Sequence, residues 1–203
     1  MAGIQALLFD LGGVVLEIDF DRAFTAWAGF AGVGMPELRE QFRFDEAYRQ
    51  HERGELDGAD YFEHLGRLLD INLTDEQWLH GWNRILMSPI AGMLPLLTEL
   101  GKRIPIFMFS NTNALHVQCL RLNYRELFEP FRQVFVSSQL GMRKPETAAF
   151  QNVASLVELP AQSILFFDDL AENVAGARLS GMNAVQVASI DDILRGLREH
   201  EIL

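Results

Sequence analysis

The sequence has one cysteine, so no internal disulfide can form; Cys119 lies among Val117, Leu120 and Leu122 and is expected to be a buried thiol, which fits a reducing cytoplasm. Basic residues are also scarce. Seventeen Lys and Arg stand against 28 Asp and Glu, a net charge of −11, and the clustered positive charge that a nucleic-acid partner requires is missing. No apolar run approaches the roughly 20 residues of a membrane-spanning helix. The apolar N-terminal stretch carries Asp10 and lacks both a basic flank and a cleavage-site pattern, so it does not read as a signal peptide. Internal repeats and low-complexity tracts are absent too. The expected protein is soluble, with neither nucleic acid nor a membrane as partner.

Apolar residues are plentiful. They make up 49% of 203 residues, with fifteen Phe and three Trp, enough for one sizeable core or a core with a smaller module. Five short apolar runs bounded by turn residues read as buried strands: residues 6–9, 104–109, 133–136, 164–167 and 184–187. Helical patterns at 113–122, 145–156, 172–179 and 191–197 fill the later intervals, and this alternation implies an α/β fold with a parallel sheet.

The interval after the first strand is long and reads as a small helical bundle. Phe20, Phe24 and Trp27 form one stripe. Asp57 caps a helix that carries Tyr61, Leu65 and Leu68, and Thr74 with Gln77 forms a capping box before Trp78, Trp82 and Ile85. Ser88-Pro89 is expected to be the return hinge, leading to a helix with Leu94, Leu97 and Leu100 that Gly101 ends.

Four segments at the ends of apolar runs carry the chemistry, and in an open α/β sheet such ends share one crevice. Asp10 follows Leu7-Leu8-Phe9 and precedes Gly12-Gly13; it is either a nucleophile toward phosphorus or a carboxylate capping a turn. Ser110, before Asn111-Thr112-Asn113 and a helix, either binds phosphate oxygens or belongs to a capping cluster. With Pro145 as first helical residue, Lys144 would sit at the positive end of a helix dipole, so it either faces negative charge from the site carboxylates or a phosphate, or is a solvated surface lysine. Asp168 and Asp169 end the strand Ile164-Leu165-Phe166-Phe167; the adjacent carboxylates either meet an ammonium or a hard cation such as Mg²⁺, with Asn173 orienting one of them, or are a pair of helix caps.

In this order the four segments resemble the haloacid dehalogenase-like hydrolases over the whole chain. The spelling Phe9-Asp10-Leu11-Gly12-Gly13-Val14, the run His51-Glu52-Arg53-Gly54-Glu55 and the segment Gly141-Met142-Arg143-Lys144-Pro145-Glu146 are most similar to bacterial sugar-phosphate phosphatases related to α-glucose-1-phosphatase and to the N-terminal phosphatase domain of soluble epoxide hydrolase. The resemblance implies a Rossmann-like catalytic core from residues 1–15 and 88–203, with a helical cap at 16–87. It implies Asp10 as nucleophile, a Mg²⁺ site from Asp10, the Gly12 carbonyl and Asp169 with help from Asp168, and a phosphate site from Ser110, the Asn111 amide and Lys144. A small phosphorylated metabolite, with a sugar phosphate as first expectation, is the implied partner.

One departure from the family pattern stands out. Most family phosphatases carry a second Asp two residues after the nucleophile, which protonates the leaving alcohol; here the residue is Gly12, as in the bacterial subgroup. General acid assistance is typically worth about 10² to 10⁴-fold, so a less basic leaving group, such as a sugar 1-phosphate, would depend on it less. Glu17 and Asp19 are candidate substitutes, and His51, Arg53, Phe44 and Trp27 are candidate cap contacts to substrate. Two other readings stay open: a metal-free dehalogenase, and a catalytically weak phosphate-binding protein.

Overall fold

The computed structural model describes residues 3–203. Its central sheet is parallel, with strand order β5-β4-β1-β6-β7, from β1 (Ala6–Phe9), β4 (Ile106–Ser110), β5 (Gln133–Val136), β6 (Ile164–Asp168) and β7 (Asn183–Gln186). Strand β1 is buried on both faces, as expected for the centre of a parallel sheet. Its side chains alternate. Leu7 and Phe9 join one apolar layer with Met93, Leu97 and Leu100 of α6 (Met93–Gly101), Leu120 of α7 (Ala114–Asn123) and Ile193 and Leu197 of α11 (Ile190–Glu199). Ala6 and Leu8 join the opposite layer with Phe150 and Val153 of α9 (Thr147–Leu156) and Val174 and Ala177 of α10 (Ala171–Leu179).

A third apolar cluster lies in the long insertion, formed by α1 (Phe20–Ala31), α2 (Met35–Gln41), α3 (Glu46–Arg53), α4 (Gly58–Leu69) and α5 (Asp75–Asn83). Trp27 is its centre, fully buried, with its indole Nε1 donating to the Trp78 carbonyl at 3.1 Å. The expected caps form: Asp57 accepts from the Asp60 amide at 2.9 Å, and Thr74 and Gln77 make the reciprocal capping box.

The structure corrects several details. Ser88-Pro89 is not a bare hinge: β3 (Leu86–Pro89) pairs antiparallel with β2 (Leu16–Ile18), giving a two-stranded ribbon where the helical insertion leaves and rejoins the core. The second core strand starts at Ile106, because Pro105 cannot donate to the ladder, although its carbonyl accepts from the Leu7 amide at 3.0 Å. Pro145 does not open a helix. It follows a cis peptide bond from Lys144, and the helix begins at Thr147. Cys119 is half-buried on α7 rather than the buried thiol expected, whereas its neighbour Leu120 is the residue of that turn that enters the core. Among the described residues no helix is long and apolar enough to cross a membrane.

Candidate active site

Strand register brings the site together. Phe9 pairs with Met108 on one side and Phe167 on the other, so Asp10, the end of β4 and Asp168 arrive at the same edge of the sheet. The Asp10 amide continues the ladder, donating to the Phe167 carbonyl at 2.9 Å. Its carboxylate Oδ1 lies 2.6 Å from Lys144 Nζ, and the same ammonium lies 2.7 Å from Asp168 Oδ2. Lys144 is 1% exposed, so this is a buried ion triad, with the ammonium also 5.5 and 5.3 Å from the ring centroids of Phe109 and Phe166.

Asp168 is fully buried and heavily anchored. Its Oδ1 accepts from the Leu170 amide at 2.9 Å, and Asn173 Nδ2 lies 3.0 and 3.1 Å from its two oxygens. Asp169 is less enclosed and presses on the preceding loop: a Cβ on Gly13 would stand 2.5 Å from Asp169 Oδ2, and Gly13 has φ +79°. The positive φ therefore favours glycine there, and any side chain would also have to displace the Asp169 carboxylate. Gly12 meets no such limit on φ, but a Cβ there would lie 3.1 Å from Ile18 Cδ1.

Ser110 ends β4 and is buried. Asn111 ties the two loops of the site together: its Nδ2 donates to the Lys144 carbonyl and its Oδ1 accepts from the Lys144 amide, both at 2.9 Å. Asn113 caps α7 by accepting from the His116 amide at 3.0 Å, which fixes the turn beyond Ser110.

Electrostatics follow from burial. Desolvation pushes Asp10 up to about 7, against the pull of Lys144 and with a further push from Asp168. Burial and the Asp168 charge also raise Asp169. For Lys144, burial would lower the ammonium, but Asp10 and Asp168 together outweigh it and hold it above its ordinary value. Oxygens of Asp10, Asp168 and Asp169 all come within 4.8 Å of one another. Three carboxylates against one ammonium leave two negative charges, an all-oxygen set that suits a hard divalent cation.

The candidate cap contacts separate. Trp27 is core, and His51 is buried with its Nδ1 3.0 Å from the Leu56 carbonyl. Arg53 is tied to Glu46 and Glu55, whereas Phe44 is 55% exposed. Asp19 is occupied as the cap of α1, accepting from the Asp21 amide at 2.9 Å, and Glu17 is exposed, 3.5 Å from Ser88 Oγ. Sequence reasoning gave no role to Glu52. This buried carboxylate on α3 receives Arg143 Nε at 2.8 Å, and only the charged run His51 to Glu55 signalled it. Burial raises it, opposed by Arg143.

The description "haloacid dehalogenase-like hydrolase" matches residues 4–181. The chain belongs to the haloacid dehalogenase-like hydrolases. This hydrolase is 29% identical over 181 residues to the sesquiterpene phosphatase astK of Aspergillus oryzae, covering 88% of this chain and 87% of that one. It is 23% identical over 188 residues to a D-ribitol-5-phosphate phosphatase of Bacteroides thetaiotaomicron, covering 90% and 91% of the two chains. A HAD family enzyme of the same bacterium, solved in complex with magnesium and inorganic phosphate, is similar in structure, with a TM-score of 0.80, 26% identity and coverage of 91% and 94%. The α/β core with a helical insertion is thus the fold of this family.

Proposed function

We propose that this phosphatase is Mg²⁺-dependent and hydrolyses a small phosphorylated metabolite, a sugar phosphate, through an aspartyl-phosphate on Asp10. The observation that carries the proposal is the buried triad Asp10–Lys144–Asp168 with Asp169 beside it, a site that joins a nucleophile, a fixed cation and surplus carboxylates. Relatives named as phosphatases and a similar structure with magnesium and phosphate support it.

Asp10, Asp169 and the Gly12 carbonyl would hold the metal, with Asp168 supporting that shell under the orienting hydrogen bonds of Asn173. When bound, Mg²⁺ neutralises phosphoryl charge and keeps the Asp10 carboxylate ionised. Asp10 then attacks phosphorus in line with the leaving oxygen. Ser110 Oγ, the Asn111 amide and Lys144 Nζ bind the equatorial oxygens, so that Lys144 serves both the nucleophile and the transferring group.

Gly12 brings no acid, and Ile18 lies against the position where a side chain would project. Substrates with a stabilised leaving group, a sugar 1-phosphate above all, therefore suit the site best. A panel of phosphorylated metabolites assayed with Mg²⁺ tests the reading. Sugar 1-phosphates should be turned over faster than the phosphates of simple alcohols. Silence toward every phosphate, combined with thermal stabilisation by phosphate, would make the chain a phosphate-binding protein instead.

A further inference from the structure

Glu52 belongs to the helical cap, yet it holds both loops of the phosphate site described above, and the inference below rests on that reading. Its Oε2 accepts from Arg143 Nε at 2.8 Å, with side-chain exposures of 7% and 16% for the pair. Its backbone carbonyl accepts from Ser137 Oγ at 2.6 Å, and that hydroxyl oxygen accepts in turn from the Thr112 amide at 2.8 Å. Arg143 immediately precedes Lys144, and Thr112 follows Ser110 and Asn111. The two loops are already clasped to each other by the paired hydrogen bonds of Asn111 with Lys144. Glu52 grips the outer end of each.

The seam around Glu52 is tight. Ser137 opens the short helix α8 (Ser137–Leu140), and a Cβ on Gly54 would stand 2.4 Å from the Ser138 carbonyl. A nearly buried ion pair across such a seam contributes little to stability by itself, because desolvation offsets most of the attraction. It does favour one geometry: an Arg whose Nε is held limits how far its own backbone can move, and the next residue in that backbone is Lys144.

We propose that Glu52 is a positioning residue for phosphate binding, acting through Arg143 to aim Lys144 and through Ser137 to steady the loop after Ser110, so that seating of the cap helix completes the phosphate cradle. It touches no reacting atom. The cap thereby does more than choose substrates: the core's phosphate site is fully assembled only when α3 is in place.

Calorimetric titration of the Mg²⁺-saturated protein with inorganic phosphate tests this. Glu52→Ala should weaken phosphate binding about tenfold, within the range over which close pairs couple. Mg²⁺ affinity in phosphate-free buffer should fall much less than phosphate affinity, since Glu52 contacts none of the three clustered carboxylates and reaches them only through Lys144. Glu52→Gln, which keeps an oxygen for Arg143 Nε and guards against a misfolded variant, should recover most of the affinity. Glu52→Ala with Arg143→Ala should bind no more weakly than Arg143→Ala alone. Unchanged phosphate affinity with a lowered melting temperature, or losses that simply add, would overturn the inference alone. Failure of the unsubstituted protein to bind phosphate would overturn the site reading with it.

Discussion

The end of the Ile18 side chain stands 3.1 Å from where a Cβ on Gly12 would begin, so an apolar group lines the wall that carries an acid in most phosphatases of this family. Ile18 is 42% exposed and free to swing aside, and Gly12 has no positive φ to exclude a side chain. Gly12→Asp combined with Ile18→Ala should therefore raise turnover of an alkyl phosphate by about 10²-fold, while an aryl phosphate, whose leaving group needs no proton, gains little. Comparing kcat on the two substrates measures it.

Gly13→Ala should behave in the opposite way. The new Cβ would meet Asp169 Oδ2 at 2.5 Å on a backbone with φ +79°. A destabilisation of about 1–3 kcal/mol is expected from the strained conformation and the displaced carboxylate. Urea denaturation reads the first effect, and weaker Mg²⁺ binding by titration reads the second.

Lys144→Met removes the ammonium shared by Asp10 and Asp168 and leaves two buried carboxylates facing each other. Breaking a buried pair in this way costs about 3–5 kcal/mol. Added Mg²⁺ should restore part of the loss, because it supplies the missing positive charge. Melting temperatures of the variant with and without the metal provide the test.

Acid should loosen the contact between cap and core. His116 of α7 is buried, its Nε2 2.9 Å from the Trp82 carbonyl and its ring stacked on that indole at 5.0 Å. Burial pushes its imidazole down to about 4 from the ordinary 6.5. Between these values the unfolded chain binds the proton that the folded chain refuses, so stability falls as pH drops through that window, and no further below it. This one group accounts for roughly 3 kcal/mol at pH 4, from the displacement to about 4. His116→Phe keeps the stack and cannot protonate; its urea stability should depend less steeply on pH between 6.5 and 4 than that of the unsubstituted protein.

The sequence made the sheet legible because its central strands are buried on both faces, so Leu7 to Phe9 and Ile164 to Phe167 read as uninterrupted apolar runs. Asp10, Ser110 and Asp168 could be placed for the same reason: each ends such a run, and parallel register carries the ends to one edge. What was hidden depends on partners distant in the chain. The Leu16–Ile18 strand is three residues long and exists through pairing with Leu86 to Pro89. Likewise Glu52 looks like one more charge in the run His51 to Glu55, and its ion-pair partner, Arg143, lies far along the chain. Pro145 misled because a proline suits a first helical turn equally well as the turn before it, and here the helix waits until Thr147.

The claim on which the account turns is that Asp10 attacks phosphorus in a site that needs a divalent cation. Hydrolysis of an aryl phosphate by the unsubstituted protein and by Asp10→Asn, each with Mg²⁺ and with excess chelator, tests it most directly. Turnover is expected from the unsubstituted protein with Mg²⁺ alone, and none from Asp10→Asn in either condition. Turnover by Asp10→Asn, or full activity in chelator, would contradict it.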